Sequence, residues 1–509
     1  MLIEHPTIYL DAAGERTDAL LIRDGRVQAT GDDARHAASS DDETIRPDAA
    51  CLFPALGDAH IHLWGFGLRV GTVDLRGMNA DEALDALADA TPRDDRWVLA
   101  ANLDEHQFDD GQNLTRKQLD TLFPSTPVCI HRVDRHAVWV NTEALHRTRF
   151  DQIYNPSEAG HVERDADGEP TGRLVDAAAQ TLTAAMPQAD IAEDRQMFLD
   201  SARRLHNLGV RFCTIAFCSV AHLEMLTDLA DDGKLPLHVD VLVDGRDPDF
   251  DRFLREGPIH RPRLRAAGVK FFADGALGSA GAHLLEPYRQ GGTGLRMHPE
   301  GFLKRRIPEL MEDHGLQLAV HAIGDAAARE VLDAFEAVSP AVRKKLRPRL
   351  EHAQIVAESD QPRFAELDVI ASIQPIHLHS DAPWAPKKLQ DHQLRRLFPW
   401  QRLKPATFAA GSDFPIDDIN PWHGVAAAIT RRGADGEPFR PDQALSRQEI
   451  LAAYTTGAAF ASHCEGDFGR LTEGHRGAVI ALDTDPFGAE PEQIWDLQTC
   501  KLEVAPGNR

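Results

Sequence analysis

One histidine pair and four single residues have the types and placement to do metal chemistry together. In "FPALGDAHIHLWGFG" an apolar run ends on His60-Ile61-His62. If that run is a strand, its period of two puts both imidazoles on one side, where two nitrogens can converge on a single cation. Lys270 in "AAGVKFFADGALGSAGA", His321 in "LQLAVHAIGDAA", His352 in "RLEHAQIV" and Asp413 in "TFAAGSDFPIDD" each interrupt or end an apolar run. Burying an ionisable group without a partner costs several kcal/mol. Singly, each has an ordinary explanation as a hydrogen-bonded core histidine or a polar cap at a strand end. As a set at equivalent places on successive runs, they point to one shared centre.

Lys270 is the informative member, because an ammonium repels a cation and must be either displaced from it or chemically changed. A buried neutral amine can take up CO2 to become a carbamate, an anionic group able to bridge two ions. Two ions about 3.5–4 Å apart would then activate a shared hydroxide as nucleophile. Asp413, aimed inward by Gly411 and Ser412, is the candidate to take a proton from the attacking water and deliver it to a leaving amine. Asp417 and Asp418 are rival carboxylates, read as solvated charges in an exposed turn before Asn420-Pro421. His377 and His379 in "SIQPIHLHSD" form a second His-x-His, a lesser candidate for metal or for a substrate acid. Trp64, Phe66, Trp384 and Trp422 are candidate pocket walls, although core packing is the commoner fate of aromatic residues.

These residues need a scaffold, and the apolar runs supply one. Eight of them, 51–57, 209–215, 235–243, 267–272, 317–321, 349–352, 369–374 and 407–411, are separated by helical patterns such as "AAAREVLDAFEAV". That alternation predicts parallel βαβ units closing into a TIM-type (β/α)8 barrel, with the polar residues at the C-terminal strand ends where such barrels keep their chemistry. The barrel is expected over residues 55–455. Residues 1–54 and 456–509 carry short β patterns and turns, and are expected to join as one small β-sandwich domain. An insertion over about residues 70–190, after the first barrel strand, contains its own strand patterns "RWVLAANLDE" and "TPVCIHRV" and is placed to wall or cover the site.

Composition narrows the partners. The 509 residues are 42% hydrophobic and 27% charged, as in folded globular proteins. Eighty acidic against 55 basic residues give a net charge of −25, which argues against nucleic acid and anionic membranes and for a small-molecule substrate. No basic, then apolar leader and no apolar stretch of membrane-spanning length occurs, so a cytoplasmic location is expected. The six scattered cysteines read as reduced structural thiols. A homodimer is left open.

As a set, "VKFFADGALGS", "VHAIGD", "EHAQ" and "GSDFPI" resemble the amidohydrolase superfamily, in particular its branch that includes N-substituted formamide deformylases. The resemblance runs from the N-terminal sheet through "LTEGHRGAVIALDTDP". It implies His60 and His62 on one metal ion, His321 and His352 on a second, Lys270 carbamylated and bridging, and Asp413 as ligand and proton shuttle. Zinc is the first expectation, with Fe, Mn and Ni as alternatives, since this ligand set accepts several divalent ions. "HAVWVNTEAL" resembles the family's substrate-side segment and makes His136 a catalytic candidate for polarising a carbonyl or holding substrate; a structural role beside Trp139 and Asn141 has equal standing. Two departures, Ala280 where the family commonly carries a basic residue and the tail "GAVIALD", touch no ligand position but leave substrate preference open. The function expected is metal-dependent hydrolysis of an amide- or formamide-type carbon–nitrogen bond. The competing expectations are a lyase or isomerase on the same barrel, and a non-catalytic binding protein.

Overall fold

The computed structural model describes residues 1–63, 72–92, 97–108, 113–133, 135–155, 160–187 and 191–500. Trp64 and Phe66 lie outside the described residues. Eight parallel strands run in order through the central sheet: β1 Leu56–Ile61, β2 Val210–Cys218, β3 His238–Asp244, β4 Leu264–Phe272, β5 Gln317–Ala322, β6 Arg349–His352, β7 Ile370–Ile373 and β8 Phe408–Ala410, with the short Ile259–Arg261 added antiparallel to β4 as its ninth. Each of the eight pairs with the next in sequence order. The strands are apolar almost throughout because helices cover the outside and side chains fill the inside. Asp325–Glu336, which follows β5, shows the helical half of the pattern: Ala327, Ala328, Val331, Leu332 and Phe335 form its buried stripe.

The ring is completed at its rim by the residues of interest. The Asp413 N–H donates to the His60 carbonyl at 2.8 Å, and the His62 N–H donates to the Phe414 carbonyl at 2.8 Å. The segment after β8 is thereby stitched to the end of β1, and residues distant in sequence share one local backbone frame.

The apolar run 51–57 is two strands. Cys51–Pro54 pairs antiparallel with Val479–Leu482 in the terminal sheet, whereas β1 starts at Leu56. Both halves are buried, so hydrophobicity is continuous across a point where the partner changes. The chain ends do meet, in one seven-stranded hydrogen-bonded sheet, where the sequence suggested a sandwich. Between β1 and β2 a separate six-stranded sheet runs from Val73 to Asp176, with a core that includes Trp97, Leu99, Cys129, Val138 and Leu174. All six cysteines are free, and five are buried. Among the described residues no helix is long and apolar enough to cross a membrane.

Candidate metal centre

The strand ends bring the candidate ligands into contact. Asp413 Oδ1 lies 3.0 Å from His62 Nε2 and 3.3 Å from His60 Nε2. His60, His352 and Asp413 each offer a ligand atom within 4.8 Å of the others. The His352 ring is 5.2 Å from that of His60 and 4.4 Å from that of His321. Lys270, on β4, is 1% exposed, and its charge is felt by His62, His321 and His352.

A buried polar frame aims these groups. His60 Nδ1 is 2.5 Å from Glu351 Oε2, and Glu351 is held in turn by Arg349 at 2.7 and 3.1 Å and by the Ser372 hydroxyl at 2.5 Å. With Nδ1–H donated to the carboxylate, His60 presents the Nε2 lone pair inward, the arrangement that fixes a metal-binding imidazole. Asp58 accepts from the His60 N–H at 3.0 Å and from the Ser412 hydroxyl at 2.6 Å, tying β1 to the Asp413 turn. At Gly411 a Cβ would lie 2.4 Å from the His60 nitrogen, so only glycine lets the two strands approach this closely. His352 and Asp413 both sit in the left-handed region, at φ 75° and 57°, a backbone cost of about 1–3 kcal/mol each that the surrounding bonds must hold. Glu351→Gln should lower metal affinity about 10- to 100-fold without unfolding the chain, because the anchor of His60 loses its charge; competition against a chelating dye reads the change.

Protonation favours ligation. Burial drives His321 and His352 well below 6.5, so both are neutral with a lone pair available. Burial alone would raise Asp413, but His60 and His62 overrule it and hold the carboxyl well below the usual range. His60 Nε2, His321 Nε2 and His352 Nδ1 are buried and make no hydrogen bond, and Asp413 Oδ1 faces only the ring nitrogens of His60 and His62. Buried acceptors are rarely left in this way. One or two cations would satisfy all four, so the residues present fit a divalent metal centre.

Burial also pulls Lys270 from 10.5 down to about 8, against the opposing pull of Glu351 and Asp413. In the metal-free protein the unfolded chain therefore binds the extra proton between those two values. Stability should rise with pH from about 8 to 10.5, by about 3 kcal/mol, and the gain should vanish in Lys270→Met. Urea denaturation across that range, with chelator present, checks it.

Residues 50–504 match the family described as Amidohydrolase family. The chain belongs to the amidohydrolase family. It is 31% identical over 518 residues to the YtcJ amidohydrolase of Bacillus subtilis (strain 168), covering 96% of this chain and 95% of that protein. It is 27% identical to the N-substituted formamide deformylase of Arthrobacter pascens, covering 99% and 97%. Among solved structures it resembles a metal-dependent hydrolase from Pyrococcus horikoshii OT3, with a TM-score of 0.78 and 27% identity over 96% of this chain and 99% of that one. As an amidohydrolase, the protein is a hydrolase acting on carbon–nitrogen bonds other than peptide bonds.

Other predicted residues of the amidohydrolase divide clearly. His136, from the inserted sheet, reaches the centre: its ring is 5.8 Å from that of His321, and its Nδ1 is 2.6 Å from Asp176 Oδ1. His377 also arrives, lying parallel to His352 at 5.8 Å with its Nε2 3.6 Å from Asp413 Oδ2. His379 does not; it approaches the Arg432 carbonyl at 3.2 Å and packs on Trp495. Trp384 and Trp422 are both buried in the core, and Trp384 also stacks on His106, in a turn of the insertion, at 4.7 Å.

Asp417 is not a solvated turn charge, whereas the Asp418 side chain, 40% exposed, remains open to solvent as the sequence suggests. Asp417 is half-buried, accepts from the Ser380 hydroxyl, faces His377 and is raised by burial. Asp418 accepts from His423 Nδ1 at 3.0 Å and from the Asn420 N–H at 2.9 Å. A turn rich in Asp and Asn reads as solvent-facing only if nothing packs over it, and here helix residues do. Sequence reasoning also passed over Glu351, Asp58, Asp176 and Asp274. Asp274 accepts three backbone N–H bonds, from Ile323, Gly324 and His283, and burial raises it to about 7. For Glu351, Asp58 and Asp274 the usable signal was an acid one, two or four residues from a candidate ligand inside an apolar run; Asp176, 40 residues from His136, carried none.

Proposed function

We propose that this amidohydrolase is a metal-dependent enzyme that opens an amide or formamide bond of a small molecule. The observation that carries it is the convergence of buried, hydrogen-bond-free nitrogens and a buried carboxylate at the barrel rim. Support for the bond type comes from the formamide deformylase relative. In this reading His60, His62 and Asp413 would hold one divalent ion, His321 and His352 would hold a second, and Lys270, as its carbamate, would serve both; zinc is the first choice, with Fe, Mn or Ni as alternatives. When bound, the metal supplies Lewis acidity and makes water acidic enough to be deprotonated near neutral pH. Asp413 takes that proton and returns it to the departing nitrogen. His136, oriented by Asp176, holds the scissile carbonyl. The free, buried cysteines suit a reducing compartment, which we take to be the cytoplasm.

The test is a panel of N-formyl and N-acyl amines offered to metal-reconstituted protein in heavy-oxygen water. Hydrolysis places the label in the carboxylate product, and chelation abolishes turnover. Full activity in chelator with no divalent ion present would overturn the metal assignment, and conversion without label would point to lyase or isomerase chemistry.

A further inference from the structure

At the rim beside Lys270, β3 ends in Asp244 and the chain turns through Gly245 into Arg246. The Gly245 N–H donates to the Lys270 carbonyl at 3.1 Å, so the turn is an extension of the barrel ladder next to the centre. A Cβ on Gly245 would sit 2.4 Å from the Phe271 ring, which fixes the path from which Arg246 departs. Its guanidinium lies 4.7 Å from the Phe272 ring centre and 5.5 Å from that of Phe217. Those two rings meet edge to face at 5.4 Å. Phe272 in turn is 5.3 Å from the His321 ring, and Phe217 is 6.4 Å from the His62 ring. One aromatic layer thus separates the guanidinium from imidazoles of the centre.

Asp244 secures the root of this side chain. It accepts from the Arg246 backbone N–H at 2.9 Å and from Nε at 3.3 Å. Asp244 is thus the acid that pairs with the guanidinium, through Nε, while among the described residues the two terminal nitrogens donate no hydrogen bond and the side chain stays 32% exposed. An arginine laid on two rings and pinned at Nε has already lost most of its rotamer freedom, and its remaining edge is a planar pair of donors. That shape matches a carboxylate in bidentate fashion.

We propose that Arg246 determines specificity by binding a carboxylate on the substrate, so that the bond cleaved belongs to an N-acyl or N-formyl amino acid in preference to an uncharged amide. This rests on the hydrolytic reading above. The experiment compares matched substrates differing only in the carboxylate, N-acetylphenylalanine and N-acetylphenethylamine together with their N-formyl counterparts, on native enzyme, Arg246→Ala and Arg246→Lys. The native enzyme should favour the carboxylate member about 10- to 100-fold in kcat/KM. Arg246→Ala should erase that ratio chiefly through KM, and Arg246→Lys should restore part of it. Equal turnover of both members by native enzyme, or a ratio that survives in Arg246→Ala, would overturn the proposal. Turnover of no member would count against the hydrolytic reading instead. Calorimetric binding of N-acetylphenylalanine to the metal-loaded protein then decides the role of Arg246: affinity at least tenfold weaker in Arg246→Ala supports it, and unchanged affinity overturns it.

Discussion

Asp413→Asn should reduce kcat by about 10²- to 10⁴-fold, the size of a lost general acid–base step, while metal content and melting temperature stay close to native. Asparagine keeps the shape, tolerates the left-handed backbone that Asp413 adopts at φ 57°, and retains an oxygen for ligation. Its amide oxygen cannot take the proton that the proposal assigns to the carboxylate. The native carboxyl is held well below its ordinary range by His60 and His62, so it is ionised and receptive throughout the neutral range. KM should change little, since the interaction lost belongs to the transition state. Steady-state kinetics with metal analysis on the same sample separate this from simple loss of the ion. A kcat near native would remove Asp413 from the proton path.

If two ions share the centre as proposed, Lys270→Ala should lower bound metal from two equivalents towards one and cut turnover by at least about 100-fold. An ammonium 1% exposed and felt by three imidazoles is destabilised by burial despite Glu351 and Asp413, and its descent to about 8 puts a reactive share of neutral amine within reach at physiological pH. If the bridging group is a carbamate, acetate or propionate added to the alanine variant should restore part of the metal content and activity by filling the same space with a free carboxylate. Native protein stripped and reloaded without bicarbonate should likewise regain less activity than protein reloaded with it. A fully metallated and active Lys270→Ala enzyme would rule out the bridging role.

Much of this was legible in the sequence because parallel barrel strands are buried on both faces and advertise themselves as apolar runs. A histidine, lysine or aspartate set into such a run stands out, and although each singly has an ordinary explanation, His60, Lys270, His321, His352 and Asp413 as a set at strand ends pointed to one centre. The limits have physical causes. Hydrophobicity records burial but not partnership, so the change from terminal sheet to barrel at Ala55 was invisible and the single terminal sheet was expected as a sandwich. Glu351 lies beside a candidate ligand, yet an acid in a sequence looks solvated until its counter-ions appear; Arg349 and His60 do so only in three dimensions. The buried side of Asp417 depends on a helix 37 residues away in sequence. Arg246 carries no motif; what distinguishes it is an aromatic bed assembled from the ends of two other strands.

The most direct test of the centre is anomalous diffraction from crystals of active, zinc-loaded protein, collected on both sides of the zinc edge. The account predicts density within bonding distance, about 2.0–2.2 Å, of His60, His62 and Asp413, with a second peak against His321 and His352 and the modified Lys270 between them. Active crystals with zinc bound elsewhere, or with no anomalous density at the rim, would contradict it.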